Sequence, residues 1–311
     1  MKVLITGANG FVGRRLADVL RSEYDQLVCC SRNSGSDPEF ITSPALSANA
    51  DWGPLLTGVD VVVHLAGKAH NLGEPRSVAL EGFKQTNVEG TLRLAEQALA
   101  ANVKRFIFIS SIGVNGSSTS EIAFDESSPA APHADYAESK LAAERKLEVL
   151  CRGTSMELVI IRPPLVYAAQ APGNFRRLLK IVSLGLPLPF AAINNRRSMI
   201  ALDNLVDFIR VCVAHPKAAN SLFLVSDGVD LSTGEIVKLI AKGMNKKVRL
   251  VAVPKFLLLA GATLLGKRAI YTQLCGSLVI DSSKAQSTLG WVPVVSPQQA
   301  LMESGRDFKI P

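Results

Sequence analysis

The chain opens on a short apolar run, Val3-Leu4-Ile5-Thr6, that breaks into Gly7-Ala8-Asn9-Gly10-Phe11-Val12-Gly13. An amphipathic segment follows at once, with Leu16, Val19 and Leu20 spaced as one helix face. The order is strand, glycine turn, helix. A helix start presents unpaired backbone N–H groups and the positive end of its dipole, which together suit a diphosphate. The glycines follow G-x-x-G-x-x-G rather than the G-x-G-x-x-G of the common dinucleotide fingerprint. Gly7, Asn9, Gly10, Phe11, Val12 and Gly13 therefore form the candidate cofactor turn.

Four further apolar runs have the look of buried strands. Leu27-Val28-Cys29-Cys30 ends in Ser31-Arg32-Asn33, and the β-branched run 59–65 ends in Leu65-Ala66-Gly67. The run 105–110 ends in Ser110-Ser111, and Leu158-Val159-Ile160-Ile161 ends in Arg162-Pro163-Pro164. A long helix is expected over about 80–100, with Asn87 bonding back to a strand edge. Strands alternating with helices predict an α/β fold with a Rossmann-type doubly wound parallel sheet, whose ligands bind at the carboxyl ends of the strands. The glycine turn, Ala66-Gly67, the serine pair and the Arg162-Pro163-Pro164 stretch all fall at such ends. Residues 33–58 give no clear strand pattern.

The second strand's end bears on the cofactor. An NAD-binding unit carries an Asp or Glu there for the ribose 2′-hydroxyl, whereas an Arg accommodates a 2′-phosphate. Ser31 and Arg32 supply a hydroxyl and a guanidinium and no acid, so NADP(H) is the expected cofactor and NAD(H) the alternative.

Tyr136-Ala137-Glu138-Ser139-Lys140 sets a phenol and an ammonium one helical turn apart on the same face. A nearby positive charge is expected to lower the phenol pKa and prepare it for proton exchange with a substrate oxygen.

From residue 173 the pattern loosens into helices near 174–184, 203–214, 231–242 and 254–266, with short strands near 198–202, 221–225 and 248–252. A smaller α/β substrate lobe over 173–311 is expected beside a dinucleotide domain over 1–172, the two interleaved at their boundary. The apolar stretch 256–266 is too short to span a bilayer and predicts a buried helix. Its flanking Lys255, Lys267 and Arg268 make membrane-surface contact the minor alternative. Five cysteines with no C-x-x-C spacing and no secretory signal predict reduced thiols, no metal site and a cytoplasmic protein. His64 and His70 read as packing or surface residues. The net charge of +7 suits a nucleotide ligand, and basic residues spread along the chain do not predict nucleic-acid binding.

Taken together, these stretches resemble the extended short-chain dehydrogenase/reductase family, the NAD-dependent epimerases, dehydratases and reductases of nucleotide sugars. Also matching are His64-Leu65-Ala66-Gly67, Asn87-Val88-Glu89-Gly90-Thr91, residues 197–205 and Leu289-Gly290-Trp291 with Pro293. The resemblance implies Tyr136 as acid/base, Lys140 as its partner on the nicotinamide ribose and Ser111 as hydrogen-bond donor to the reacting oxygen. It places Leu65, Ala66, Gly67 and Pro163 beside the cofactor. It implies a UDP-linked sugar held by Asn174, Phe175 and Arg197, and a homodimer built on the helices carrying Asn87 and Tyr136.

Ile112-Gly113 stand where the dehydratases carry an acid pair, which argues against water elimination as the expected chemistry. Asn115 replaces the usual Tyr of Val-Tyr-Gly, with a reshaped pocket as the expected result, and Asn204 replaces a common Asp. The closest likeness is to bacterial reductases of UDP-4-keto-6-deoxy-N-acetylhexosamines, which serve surface polysaccharide synthesis. A UDP-hexose 4-epimerase with tightly held NAD is the alternative, and a non-catalytic NADP-binding sensor the third.

Overall fold

A computed structural model describes residues 1–33, 39–69 and 75–309. The first half runs β1 (Lys2–Thr6), α1 (Phe11–Arg21), β2 (Gln26–Ser31), β3 (Ile41–Thr42), α2 (Gly53–Leu56) and β4 (Val61–His64). It continues with α3 (Arg76–Phe83), a π-helical turn (Lys84–Glu89), α4 (Gly90–Ala100), β5 (Arg105–Ile109), α5 (Asp135–Cys151) and β6 (Glu157–Arg162). Then come β7 (Leu165–Tyr167), α6 (Gly173–Ser183), β8 (Met199–Ala201), α7 (Leu202–Ala214) and β9 (Ser221–Leu224). The chain closes with α8 (Thr233–Gly243), α9 (Lys255–Leu264), α10 (Arg268–Cys275), α11 (Ser283–Leu289) and α12 (Pro297–Arg306).

Seven strands pair in the order β3-β2-β1-β4-β5-β6-β9, every pair parallel. The doubly wound α/β fold is the one expected. Because strand side chains alternate between faces, Val3 and Ile5 pack under α1 and α7 with Leu16, Leu20, Phe208 and Ile209. Leu4 and Val62 enter the opposite layer with Leu94, Phe106 and Leu147. A third core, with Tyr167, Phe175, Leu179, Ile240 and Leu301, belongs to the smaller lobe.

Three expectations change. The strand near 221–225 is not part of the smaller lobe: β9 adds to the main sheet, Ile161 opposite Phe223. Residues 248–252 form no strand; Leu250 makes only an isolated bridge with Leu188. The helix expected to be buried at 256–266 is not: no residue of α9 is buried, and Phe256 is 69% exposed. Its leucines therefore do not join a core, save for the edge around Leu258 that packs on the third one. The region 39–58 that the sequence left open holds β3 and α2.

Candidate active site

The glycine turn is built to let something lie close to it. Gly7 has φ of +68°, and a Cβ there would stand 2.9 Å from the Ala66 Cα. A Cβ on Gly13 would meet the Gly7 carbonyl oxygen at 2.2 Å, so α1 can start against the turn only with glycine there. Gly10 caps α1 with no side-chain hydrogen bond, which leaves the first-turn N–H groups of Phe11 and Val12 open to a ligand. Asn9 Nδ2 donates to the Asn33 carbonyl at 2.9 Å and ties the turn to the end of β2. At that end Ser31 is buried and its Oγ has no hydrogen-bond partner among the described residues, while Arg32 is exposed beside it. An open helix start, a cradle that any Cβ would fill and an orphaned hydroxyl fit a dinucleotide.

Leu65, Ala66 and Gly67 follow β4 beside this turn. The Ala66 N–H donates to Thr6 Oγ1 at 3.3 Å, and Thr6 Oγ1 lies 2.7 Å from His64 Nδ1. His64 also reaches Thr91 Oγ1 at 2.9 Å, and burial lowers its pKa to about 3, which keeps it neutral. It packs, as expected; His70 lies outside the described residues. Asn87 sits in the π-helical turn, where the wider winding brings its amide onto the backbone of Lys68. Its Oδ1 accepts from the Lys68 N–H at 2.7 Å, and its Nδ2 donates to the Lys68 carbonyl at 3.0 Å and Ser139 Oγ at 3.0 Å. This one amide joins the β4 end to the Tyr136 helix.

On α5, Tyr136 and Lys140 share a face. Lys140 is buried, its Nζ 6.0 Å from the centre of the Tyr136 ring and 4.6 Å from that of Phe108. It donates to the Ile109 carbonyl at 2.9 Å. A Cβ on Gly67 would lie 3.6 Å from Nζ, so the ammonium stands next to the β4 end. Burial lowers the Lys140 pKa to about 8, and the nearby Glu144 carboxylate works against that fall. The Tyr136 phenol does not follow the expected direction. Burial pushes it up to about 12, and the Lys140 charge is not among the causes of its shift. The ammonium donates to the Ile109 carbonyl instead.

Ser111 follows the end of β5, where its Oγ accepts from the Gly113 N–H at 3.1 Å. A Cβ on Gly113 would touch Ala137 Cβ at 3.3 Å, which brings the serine turn against the start of α5. Ser110 is buried, its Oγ without a partner among the described residues. The Pro163 carbonyl accepts from the Ile112 N–H at 3.0 Å and holds the β5 and β6 ends together.

Ser111 also opens into a cavity of about 410 Å³ between the sheet and the smaller lobe, lined by Asn174, Phe175 and Arg197. Arg197 donates to the Gly276 carbonyl at 3.4 Å and forms no ion pair among the described residues. Burial pulls its pKa below the ordinary guanidinium value. Asn174 binds Gln273 Oε1 at 2.7 Å. Phe175 is 1% exposed and its ring packs 5.4 Å from that of Tyr167, so what it can offer a polar ligand is its backbone N–H in the first turn of α6. Thr233, Thr272 and Gln273 also line the cavity. Sequence reasoning missed them because they carry no motif.

Asn115 does not itself line the cavity; it is buried, and its Oδ1 accepts from Arg162 Nη1 at 3.0 Å. Asn204 donates to the buried Asp227 at 2.7 Å, where an aspartate would face a second carboxylate.

The fold and this site define a dinucleotide-dependent enzyme, and the comparisons narrow the class. Residues 3–225 match the NAD dependent epimerase/dehydratase family. A UDP-glucose 4-epimerase of Vibrio cholerae is 39% identical over 98% of this chain and 95% of its own length. The N-acetyl-α-D-glucosaminyl-diphospho-ditrans,octacis-undecaprenol 4-epimerase of Escherichia coli O157:H7 is 27% identical over 96% of this chain and 92% of its own. The structure of a UDP-glucuronic acid 4-epimerase from Bacillus cereus in complex with NAD shares the fold at TM-score 0.77 and 21% identity, covering 99% of this chain and 98% of that one. The chain belongs to the NAD dependent epimerase/dehydratase family.

Proposed function

We propose that the protein reduces the C4 ketone of a UDP-linked 4-keto-6-deoxy-N-acetylhexosamine at the expense of NADPH. The carrying observation is the end of β2, where Ser31-Arg32-Asn33 offers no carboxylate to a ribose 2′-hydroxyl but does offer a buried unpartnered Oγ and an exposed guanidinium. The Gly7 to Gly13 turn, with Leu65, Ala66, Gly67 and Pro163, would hold the dinucleotide, which would supply the hydride for C4.

The chain's own residues do the rest. Ser111 Oγ donates a hydrogen bond to the carbonyl oxygen. Tyr136, with its pKa at about 12, is a phenol rather than a phenolate at neutral pH, so it enters the reaction able to give a proton to O4 as charge develops there. Lys140 keeps a positive charge beside the phenol. Arg197 and the open N–H groups of Asn174 and Phe175 hold the diphosphate. Ile112-Gly113 hold no proton-transfer group, which disfavours dehydration.

A 4-epimerase with tightly held NAD is the second reading, favoured by the name of the Vibrio cholerae relative. The two separate in one assay. Stoichiometric consumption of NADPH with the 4-keto sugar, and no interconversion of UDP-glucose and UDP-galactose, supports the reductase. Interconversion without added cofactor supports the epimerase.

A further inference from the structure

Helix α9 is turned inside out. Phe256, Leu257, Ala260, Thr263 and Leu264 recur at the spacing of one helix face, and that face is the exposed one. Phe256, Leu257 and Leu264 are 69%, 52% and 88% exposed, and Leu265 and Ile270 extend the patch at 72% and 42%. Leu258 on the other side anchors the helix to the third core. A water-facing helix has no reason to put its largest apolar side chains outward, and contiguous patches of this kind mark interaction surfaces.

The charges say what kind of surface. Between residues 236 and 280 there are eight Lys and Arg and no Asp or Glu, which leaves the rest of the chain with one acid more than bases. The whole positive excess of the protein is therefore in this stretch. Its cations fall singly and in two adjacent pairs, and no acid separates them. Lys255 starts α9, Lys267 and Arg268 follow it, and all three are exposed. Apolar side chains bracketed by cations, on a short helix lying at the surface, match the interface of a bilayer that carries anionic headgroups. A second copy of this chain would have to meet the same cations with its own.

We propose that the α9–α10 hairpin docks this protein on an anionic phospholipid surface without crossing it. No helix among the described residues is long and apolar enough to cross a membrane. Docking would set the cavity beside the bilayer, because Ala269, Thr272, Gln273 and Leu274 of α10 line it. The inference stands apart from the reaction proposed above.

The test is flotation of the full chain with vesicles of phosphatidylcholine alone and of phosphatidylcholine with phosphatidylglycerol, alongside sedimentation velocity. The full chain should float with the anionic vesicles only, and less as salt is raised. Phe256→Ser with Leu264→Ser should cut that partitioning at least about tenfold, and Lys255→Gln with Lys267→Gln should cut it by about fivefold per charge. Because all four side chains are exposed, the melting temperature should not move. Failure of the full chain to bind anionic vesicles overturns the proposal. So does a loss of self-association in the serine variant with vesicle binding unchanged, which would assign the face to a second copy.

Discussion

The Glu144 carboxylate holds Arg162 in a two-pronged grip, with Nε at 3.0 Å from Oε1 and Nη2 at 2.5 Å from Oε2, both residues buried. Glu144 lies one helical turn beyond Lys140 and is the charge that opposes the fall of the Lys140 pKa. The third arm of Arg162 is taken by Asn115, so one buried cluster lies a helical turn beyond Lys140.

Glu144→Gln should therefore have two effects. It strands the Arg162 charge, which should cost about 3–5 kcal/mol in urea denaturation. It also removes the group that keeps Lys140 charged. Activity that needs the ammonium should fall as pH rises through about 8 in the wild type, and the alkaline limb should move to lower pH in the variant. The stability sign runs the other way. Lys140 has a folded pKa below its ordinary 10.5, so its burial cost is fully present below about 8 and shrinks as pH rises toward the ordinary value. A pH profile of kcat/KM that leaves the alkaline limb in place would contradict this account of the cluster.

Tyr136→Phe should lower kcat by about 10²–10⁴, the usual worth of a positioned general acid. The cofactor turn is built from the backbone of Gly7 to Gly13, so NADPH affinity by fluorescence titration should change little. Retention of a tenth of the wild-type rate would remove Tyr136 from the chemistry.

Gly13→Ala places a methyl group where the Gly7 carbonyl oxygen already stands. The start of α1 must then move, at about 1–3 kcal/mol. Dinucleotide binding should weaken much more than thermal stability, because what shifts is the ring of open N–H groups. Calorimetric titration beside a thermal melt separates the two.

Arg197→Gln removes a cation that has no carboxylate partner among the described residues. If it serves the substrate diphosphate, KM for the UDP-sugar should rise by about 10- to 100-fold, the equivalent of a charge-assisted hydrogen bond, with kcat less affected. An unchanged KM would leave Arg197 as a structural donor to Gly276.

Much of this was legible in the sequence where the signal is local. Tyr136 and Lys140 are one turn apart in any helix, and the Gly7 to Gly13 turn lies between a strand and a helix in plain view. Asn87 bonds the Lys68 backbone in the loop after β4 rather than a strand edge, and the π-helical turn that brings it there leaves no mark in the pattern. What could not be read depends on distant neighbours. The 221–224 strand is as apolar as any other, and only its partner in β6 shows that it finishes the main sheet. Asn115 stands where related chains carry a tyrosine, and only the fold shows that Arg162 claims its side chain. The α9 leucines misled for a physical reason: an apolar helix face has the same period whether it turns inward or outward.

The most direct measurement is the identity of the bound nucleotide. The purified protein is denatured, the released nicotinamide nucleotide is assayed, and the emptied protein is titrated with NADPH and with NADH. The reductase predicts no stoichiometric retained cofactor, a clear preference for NADPH and loss of that preference in Arg32→Ala. One equivalent of tightly held NAD per chain would contradict it and assign the site to a 4-epimerase.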